Sequence, residues 1–441
     1  MDYNKQIREI ASYFKANEKS KEDFKIGMEF EHFVIDKESL ETISYYGESG
    51  VEETLKELEK HGWNGEDEGE YLLSLRNGNK VITLEPGSQL EFSVKPQKNI
   101  EDLEKEYMEF LNQIIPILDR KNQGLIAIGY HPVTRIDQIK LLPKKRYDYM
   151  FEYFKTKGTH AHNMMKGTAS LQVAIDYKSE KDYIKKFKVA NALSPVLYAM
   201  FDNGYYFEGK RWDRFGLRAY IWENCDKDRS GIVKGTFDED FGYNKYAEYI
   251  LNGPPIFIDD GKRMYYTGNK LVKEIFDPDN YSIEELEHIL TMFFPDVRTK
   301  KYIEIRMMDS VPYPLNFAAL ALIKGIFYNE KNLDEIYKYI KDINMDDVAK
   351  AKMSIFEKGL EGQFKNRSIY EMGSKIIKMA KDGLDSDEKK YILPLESMFN
   401  ERKNPYRVIE EKEQLGRKES VNWCILNHLI GGNRYGWTKC N

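Results

Sequence analysis

Apolar and polar residues alternate with a period of two along several short stretches of the chain, and apolar residues at helical spacing fill most of what lies between. Residues 26–35, I-G-M-E-F-E-H-F-V-I, read as a strand. Residues 81–94, V-I-T-L-E-P-G-S-Q-L-E-F-S-V, read as a strand, a tight turn at Glu85-Pro86-Gly87-Ser88 and a returning strand, because Pro presets φ and Gly accepts positive φ. Further strands are predicted at 124–130, at 164–177 with alternation from Ser170, at 215–224 and at 300–308. Helical spacing predicts helices over 2–16, 51–61, 100–120, 142–154, 182–201 with a bend or a new start near Pro195, and 281–294. The acidic run 66–70 reads as a solvated loop, and from about residue 315 nearly everything is helical. Strands spread through three quarters of the chain with helices between them predict an α+β fold with a mainly antiparallel sheet. No repeat or linker divides it, so residues 1–441 are expected to form a single domain with a mostly helical C-terminal part.

The polar sides of these strands are unusual. Glu29 and Glu31 lie two apart on the first strand and project from one face, about 7 Å apart. Gln89, Glu91 and Ser93 share a face of the returning strand, and Glu85 ends the arm before it. Ser170, Gln172 and Asp176 share a face, as do Arg218, Tyr220 and Trp222, and as do Tyr302, Glu304 and Arg306. Lysine is nearly absent from these faces, whereas an ordinary solvated sheet face carries it freely. Carboxylates at close quarters repel unless cations offset them. An all-oxygen cluster suits Mg²⁺ or Mn²⁺, and arginines among the acids suit bidentate capture of phosphate or carboxylate. The pattern therefore predicts a polar funnel with helices packed on its outer face.

Composition narrows the field. The chain has 441 residues, 41% of them hydrophobic and 13% aromatic, enough for a large core. A formal charge of −6 argues against nucleic acid as the main partner. The three cysteines, Cys225, Cys424 and Cys440, form no C-x-x-C pair and fit a reducing cytoplasm. The apolar stretch 317–328 is too short to span a bilayer and is broken by Lys324, so no membrane partner is expected. Neither G-x-x-x-x-G-K-[ST] nor G-x-G-x-x-G occurs. The segment Asp226–Gly231 imitates a calcium loop, but Phe237 stands where the closing Glu belongs. His160 and His162 read as a surface pair.

At these residues the chain resembles the glutamate–cysteine ligase family of the plant and proteobacterial type. The segments that carry the resemblance are G-M-E-F-E, I-T-L-E-P-G-S-Q-L-E-F-S, M-M-K-G-T-A-S-L-Q-V, L-R-A-Y-I-W-E-N-C-D-K-D-R-S-G, F-P-D-V-R-T-K-K-Y-I-E-I-R and A-K-D-G-L, in the family's order from about Gly27 to Leu384. The resemblance implies a glutamine-synthetase-like core, with an antiparallel sheet curved into a funnel that holds ATP and Mg²⁺ (or Mn²⁺). It implies that Glu29, Glu31, Glu85, Glu91 and Glu304 bind metal, and that Arg218, Trp222, Gln172 and Gln89 bind substrate. Arg306, with Glu304, is expected to act at the transferring phosphate. The implied substrates are L-glutamate, L-cysteine and ATP, with another amine as the alternative acceptor, in a cytoplasmic monomer or homodimer. Segments 62–78 and 231–242 are the candidate lids. Two positions depart from the family: Ala174 where an Asn is usual, and Val311 where a Gly is usual. The cysteines do not match the regulatory disulfides of plant members.

Overall fold

The computed structural model describes residues 1–430, so Cys440 lies outside the described residues. Its centre is an antiparallel sheet of β1 (Ile26–Asp36), β2 (Asn64–Glu68), β3 (Tyr71–Asn77), β4 (Lys80–Leu84), β5 (Leu90–Gln97), β6 (Gln123–Ile126), β7 (Ser170–Ile175), β8 (Val297–Thr299) and β9 (Ile303–Asp309). Across the sheet the order is β8-β9-β7-β1-β5-β4-β3-β2. The long strand β1 pairs β5 and β7 through its first half and β6 through its last four residues.

The sheet is two-faced because the sequence is. Met28, Phe30, Leu90, Phe92, Leu171, Val173, Ile303 and Ile305 are all buried on one side. Helices Ile100–Arg120 and Leu315–Phe327 cover that side: Phe30 meets Tyr107 and Phe317 edge-on at 5.2 and 5.6 Å, and Phe92 stacks on Phe110 at 4.3 Å. His32 belongs to this core, its Nε2 2.8 Å from the Tyr107 hydroxyl. Burial lowers its pKa to about 4, so it is neutral at pH 7. Among the described residues no helix is long and apolar enough to cross a membrane.

Several expectations need correction. Residues 217–223 form a helix rather than a strand. The segment L-R-A-Y-I-W-E alternates, yet it also places Leu217 with Ile221, and Arg218 with Trp222, four apart, so period alone does not decide. Residues 161–167 are helical and strand β7 begins only at Ser170. The acidic run is not a loop: Asn64–Glu68 pairs with β3. The first candidate lid, 62–78, is therefore mostly a hydrogen-bonded edge hairpin of the main sheet. Of the two readings at Pro195 the structure takes the second: a new helix, Ser194–Met200, begins there with Pro195 in its first turn, after a separate helix Glu180–Ala192.

Candidate active site

The strand register lines polar side chains up in rows on the uncovered face. Glu31 on β1 is opposite Glu91 on β5, which is opposite Thr83 on β4. One row along, Gln172, Glu29 and Ser93 follow one another across β7, β1 and β5. In the row beyond, Arg298 on β8, Glu304 on β9, Ala174 on β7 and Gly27 on β1 are neighbours. Like charges directly opposite each other, as at Glu31 and Glu91, destabilise a sheet unless something offsets them.

The acids divide into two electrostatic kinds. Glu304 is held by Arg298, Lys300 and Arg306 at 2.7, 3.0 and 2.7 Å. Burial would lift its pKa, but the three cations outweigh that and pull it well below the ordinary range. Glu29, Glu31 and Glu91 go the other way. Burial, aided by Glu85, raises Glu31 to about 7 even though the Ser170 N–H donates to it at 2.6 Å and Gln172 at 3.1 Å. Burial and the charges of Glu29, Glu85 and Glu31 hold Glu91 well above its usual value, although the Thr83 hydroxyl donates to it at 2.8 Å. Burial and Glu304 raise Glu29 in the same way. Among the described residues no three acidic, imidazole or thiol groups are already gathered into a coordination cluster. The donor chemistry still fits a hard divalent cation: half-buried carboxylate groups in neighbouring register, with no thiol among them.

Helix 217–223 lies across from this face. Arg218 and Trp222 are one turn apart on it, the guanidinium 5.8 Å from the indole centroid. Arg218 is buried and donates to the backbone carbonyls of Met307 and Arg306 at 3.2 and 3.1 Å, so it is fixed against β9. Its Nε and the Trp222 Nε1 are buried N–H donors without an acceptor. On β9 itself Arg306 donates to Gln172 and to Glu304.

Gln89 does not join the funnel. Its side chain accepts the Gly87 N–H at 2.7 Å and donates to the carbonyls of Met165 and Thr168 at 3.1 and 3.0 Å, so it holds the turn before Glu91. The turn needs that support, because Ser88 sits at φ 69° and Gly87 presses on Lys166 so closely that a Cβ would lie 2.4 Å from its carbonyl oxygen. Both turn constraints keep Glu85 beside Glu31 and Glu91.

Sequence reading missed a group of residues at the start of helix Lys145–Phe154. Tyr147 donates to the Leu84 carbonyl at 3.0 Å, which brings this helix end over the acids. Glu85 and Glu91 bear on Lys144, whose amine is held below its usual pKa by burial and by Arg146. The Arg146 Nε is buried without an acceptor. Lys144-Lys145-Arg146 was the available signal, but a basic run at a helix start is usually solvated. His160 and His162 stay structural: His160 contacts Thr159, and His162 stacks on Phe151 at 4.1 Å.

A cavity of about 440 Å³ opens beside the acids, lined by Gly27, Glu29, Lys95, Ala174, Tyr302 and Glu304 among others. Ala174 therefore faces the site, whereas Val311 is buried and does not line this cavity.

Behind Arg218 sits a buried acid pair. Asp202 accepts the Gly216 N–H at 2.7 Å at the start of helix 217–223, and Asp309 accepts the Asn203 N–H at 2.9 Å, 4.0 Å from Arg218. Burial, together with Asp309, pushes Asp202 up to about 8; burial pushes Asp309 up to about 7 against the pull of Arg218. An acid whose folded pKa exceeds its unfolded value binds more protons when folded, so its stability contribution is lost as pH rises through that folded value. Denaturant midpoints of the parent should therefore fall between about pH 4 and pH 7, and Asp309→Asn should flatten that decline. An unchanged slope in the variant would show that Asp309 keeps an ordinary pKa.

Comparison with known proteins gives a consistent result. The family model described as Glutamate-cysteine ligase family 2 matches residues 25–419. The chain is 30% identical over 385 residues to the chloroplastic glutamate–cysteine ligase of Arabidopsis thaliana, covering 86% of this chain and 73% of that one. It is 29% identical to the corresponding enzyme of Nicotiana tabacum with the same coverage. Among solved structures, a glutamate–cysteine ligase of Francisella tularensis in complex with AMP superposes with a TM-score of 0.56 at 12% identity, over 91% of this chain and 87% of that one, which shows a shared fold. With the family's model running through the acid-bearing strands and the Arg218 helix alike, this chain belongs to glutamate–cysteine ligase family 2.

Proposed function

We propose that this protein is an ATP-dependent ligase that joins the γ-carboxylate of L-glutamate to the amine of L-cysteine. The observation that carries the reading is the pair of orphaned buried donors, Arg218 Nε and Trp222 Nε1, on one face of a helix set against a carboxylate-lined sheet. A buried N–H without an acceptor costs about 1–3 kcal/mol, which a bound carboxylate would recover. Arg218 keeps its Nε edge for that carboxylate, because its two hydrogen bonds to backbone carbonyls use the other guanidinium nitrogens. The cavity beside Glu29 and Glu304 suits a nucleotide, and the AMP bound by the Francisella relative supports that use.

Held among Glu29, Glu31, Glu85, Glu91 and Glu304, Mg²⁺ or Mn²⁺ would supply the positive charge that lets ATP phosphates approach these acids. The γ-carboxylate of glutamate attacks the terminal phosphorus, ADP leaves, and the product is γ-glutamyl phosphate. The cysteine amine then attacks the acyl carbon, phosphate leaves, and the amine proton is released as the amide closes. Arg306, braced by Glu304 and Gln172, stabilises charge on the transferring group. Arg218 and Trp222 hold the glutamate in line. Lys144 and Arg146 stand over the acids as further cations. Exclusion of water matters, because an acyl phosphate hydrolyses readily.

ADP release and a thiol-bearing γ-linked dipeptide should both require glutamate, cysteine and ATP together. Product with a different amine, and none with cysteine, would identify a ligase of the same fold with another acceptor. No ADP release with any amine would exclude ligase activity.

A further inference from the structure

Helix 217–223 is only two turns long, begins at Gly216 with φ 63° and has no side-chain cap. So short a helix cannot hold its own position, yet it carries both Arg218 and Trp222. Helix Met345–Lys358 grips it at each end. At the start, the Phe215 N–H donates to the Phe356 carbonyl at 3.1 Å, and the Phe356 ring meets Tyr220 edge-on at 5.7 Å. At the other end, the Lys352 ammonium lies 2.5 Å from Glu223, the last residue of the helix, and 2.8 Å from Asp296.

Asp296 belongs to the second arginine. Its carbonyl accepts the Arg306 N–H at 3.1 Å, at the register shift in β9, and its carboxylate accepts the Tyr198 hydroxyl at 2.9 Å. The ring of contacts closes through Arg218, which donates to the Arg306 carbonyl at 3.1 Å. Lys352 and Asp296 are both buried. We propose that Lys352 is a positioning residue: by bridging Glu223 and Asp296 it fixes the Arg218 helix against the Arg306 strand and so sets the distance between the two arginines. This rests on the proposed ligase reading for what the arginines do, but not for how they are held.

The bland alternative is that Lys352 only staples helix Met345–Lys358 to the core, where loss of one partner of a buried ion pair destabilises the whole molecule. The two ideas differ in what happens to folded enzyme. Glu223→Gln removes one leg of the bridge at a half-exposed side chain, so the fold should tolerate it. Glutamate KM should rise about 3–10-fold in that variant and more in Lys352→Met, with kcat reduced about tenfold or more in the latter, and ATP KM little changed. Lys352→Arg, which keeps charge and reach, should recover most of the loss. Crystal structures of Glu223→Gln and Lys352→Met should show the helix 217–223 shifted relative to Arg306. If both variants keep the parental glutamate KM and kcat per folded molecule and merely melt earlier, Lys352 is a staple and the proposal fails. If the parent itself makes no product, the ligase reading fails instead, and the helix position in the crystal structures still decides the positioning claim.

Discussion

Glu91→Gln is expected to be more stable than the parent in metal-free buffer and to lose turnover by about 10²–10³-fold or more. Both halves follow from one feature. Glu91 is directly opposite Glu31, and its pKa is held well above the ordinary range by burial and by three neighbouring acids, although the Thr83 hydroxyl donates to it. Removing that charge relieves repulsion in a low-dielectric place; a change of this kind contributes about 1–2 kcal/mol, or roughly 1–3 °C in the melting midpoint of a chain this long. The gain should fade as pH falls, because protonating Glu91 does what the amide does. Saturating Mg²⁺ should reverse the order, since ligand binding to the folded state stabilises the parent more than a variant lacking one donor. Equal melting of both proteins with and without Mg²⁺ would take Glu91 out of the cation set.

The two arginines should separate kinetically. Arg218→Lys keeps the charge but loses the planar fork, and with it both tethers to the β9 backbone. Its contact to glutamate exists before and during the reaction alike, so glutamate KM should rise about 10–100-fold with a smaller change in kcat. Arg306 faces charge that moves during phosphoryl transfer, so Arg306→Lys should lower kcat about 10²–10³-fold and leave glutamate KM near the parental value. Because Arg306 also helps hold Glu304 ionised, melting curves belong beside the kinetics. Reversed patterns would mean that glutamate and phosphate occupy opposite ends of the funnel from those assigned.

The acid-bearing strands were legible because each of β1, β5, β7 and β9 buries one face, so the period of two is written in the residues. The edge strand Asn64–Glu68 was not, because every one of its residues is exposed and only backbone pairing makes it a strand. Helix 217–223 was misread because seven residues fit either period. Its true face nonetheless keeps Arg218 and Trp222 together, since side chains four apart on a helix meet as surely as side chains two apart on a strand. Gln89 failed for a different reason: a turn with a positive-φ Ser88 needs an internal brace, and the side chain that alternation assigned to the funnel serves as that brace. Lys144, Arg146 and Tyr147 reach the site from a helix about 60 residues beyond the hairpin, a contact that no local pattern encodes. The cavity depends on small residues in register, Gly27 beside Ala174, whose meaning appears only when the strands are paired.

The central claim is that this face of acids and arginines activates the γ-carboxylate of glutamate by phosphorylating it. Glutamate labelled with ¹⁸O in that carboxylate tests it most directly, with mass spectrometry of the phosphate released in the presence of ATP, Mg²⁺ and cysteine. One labelled oxygen per phosphate formed is the predicted result, because the attacking carboxylate oxygen leaves with the phosphorus. Unlabelled phosphate formed at the same rate as peptide would contradict the account.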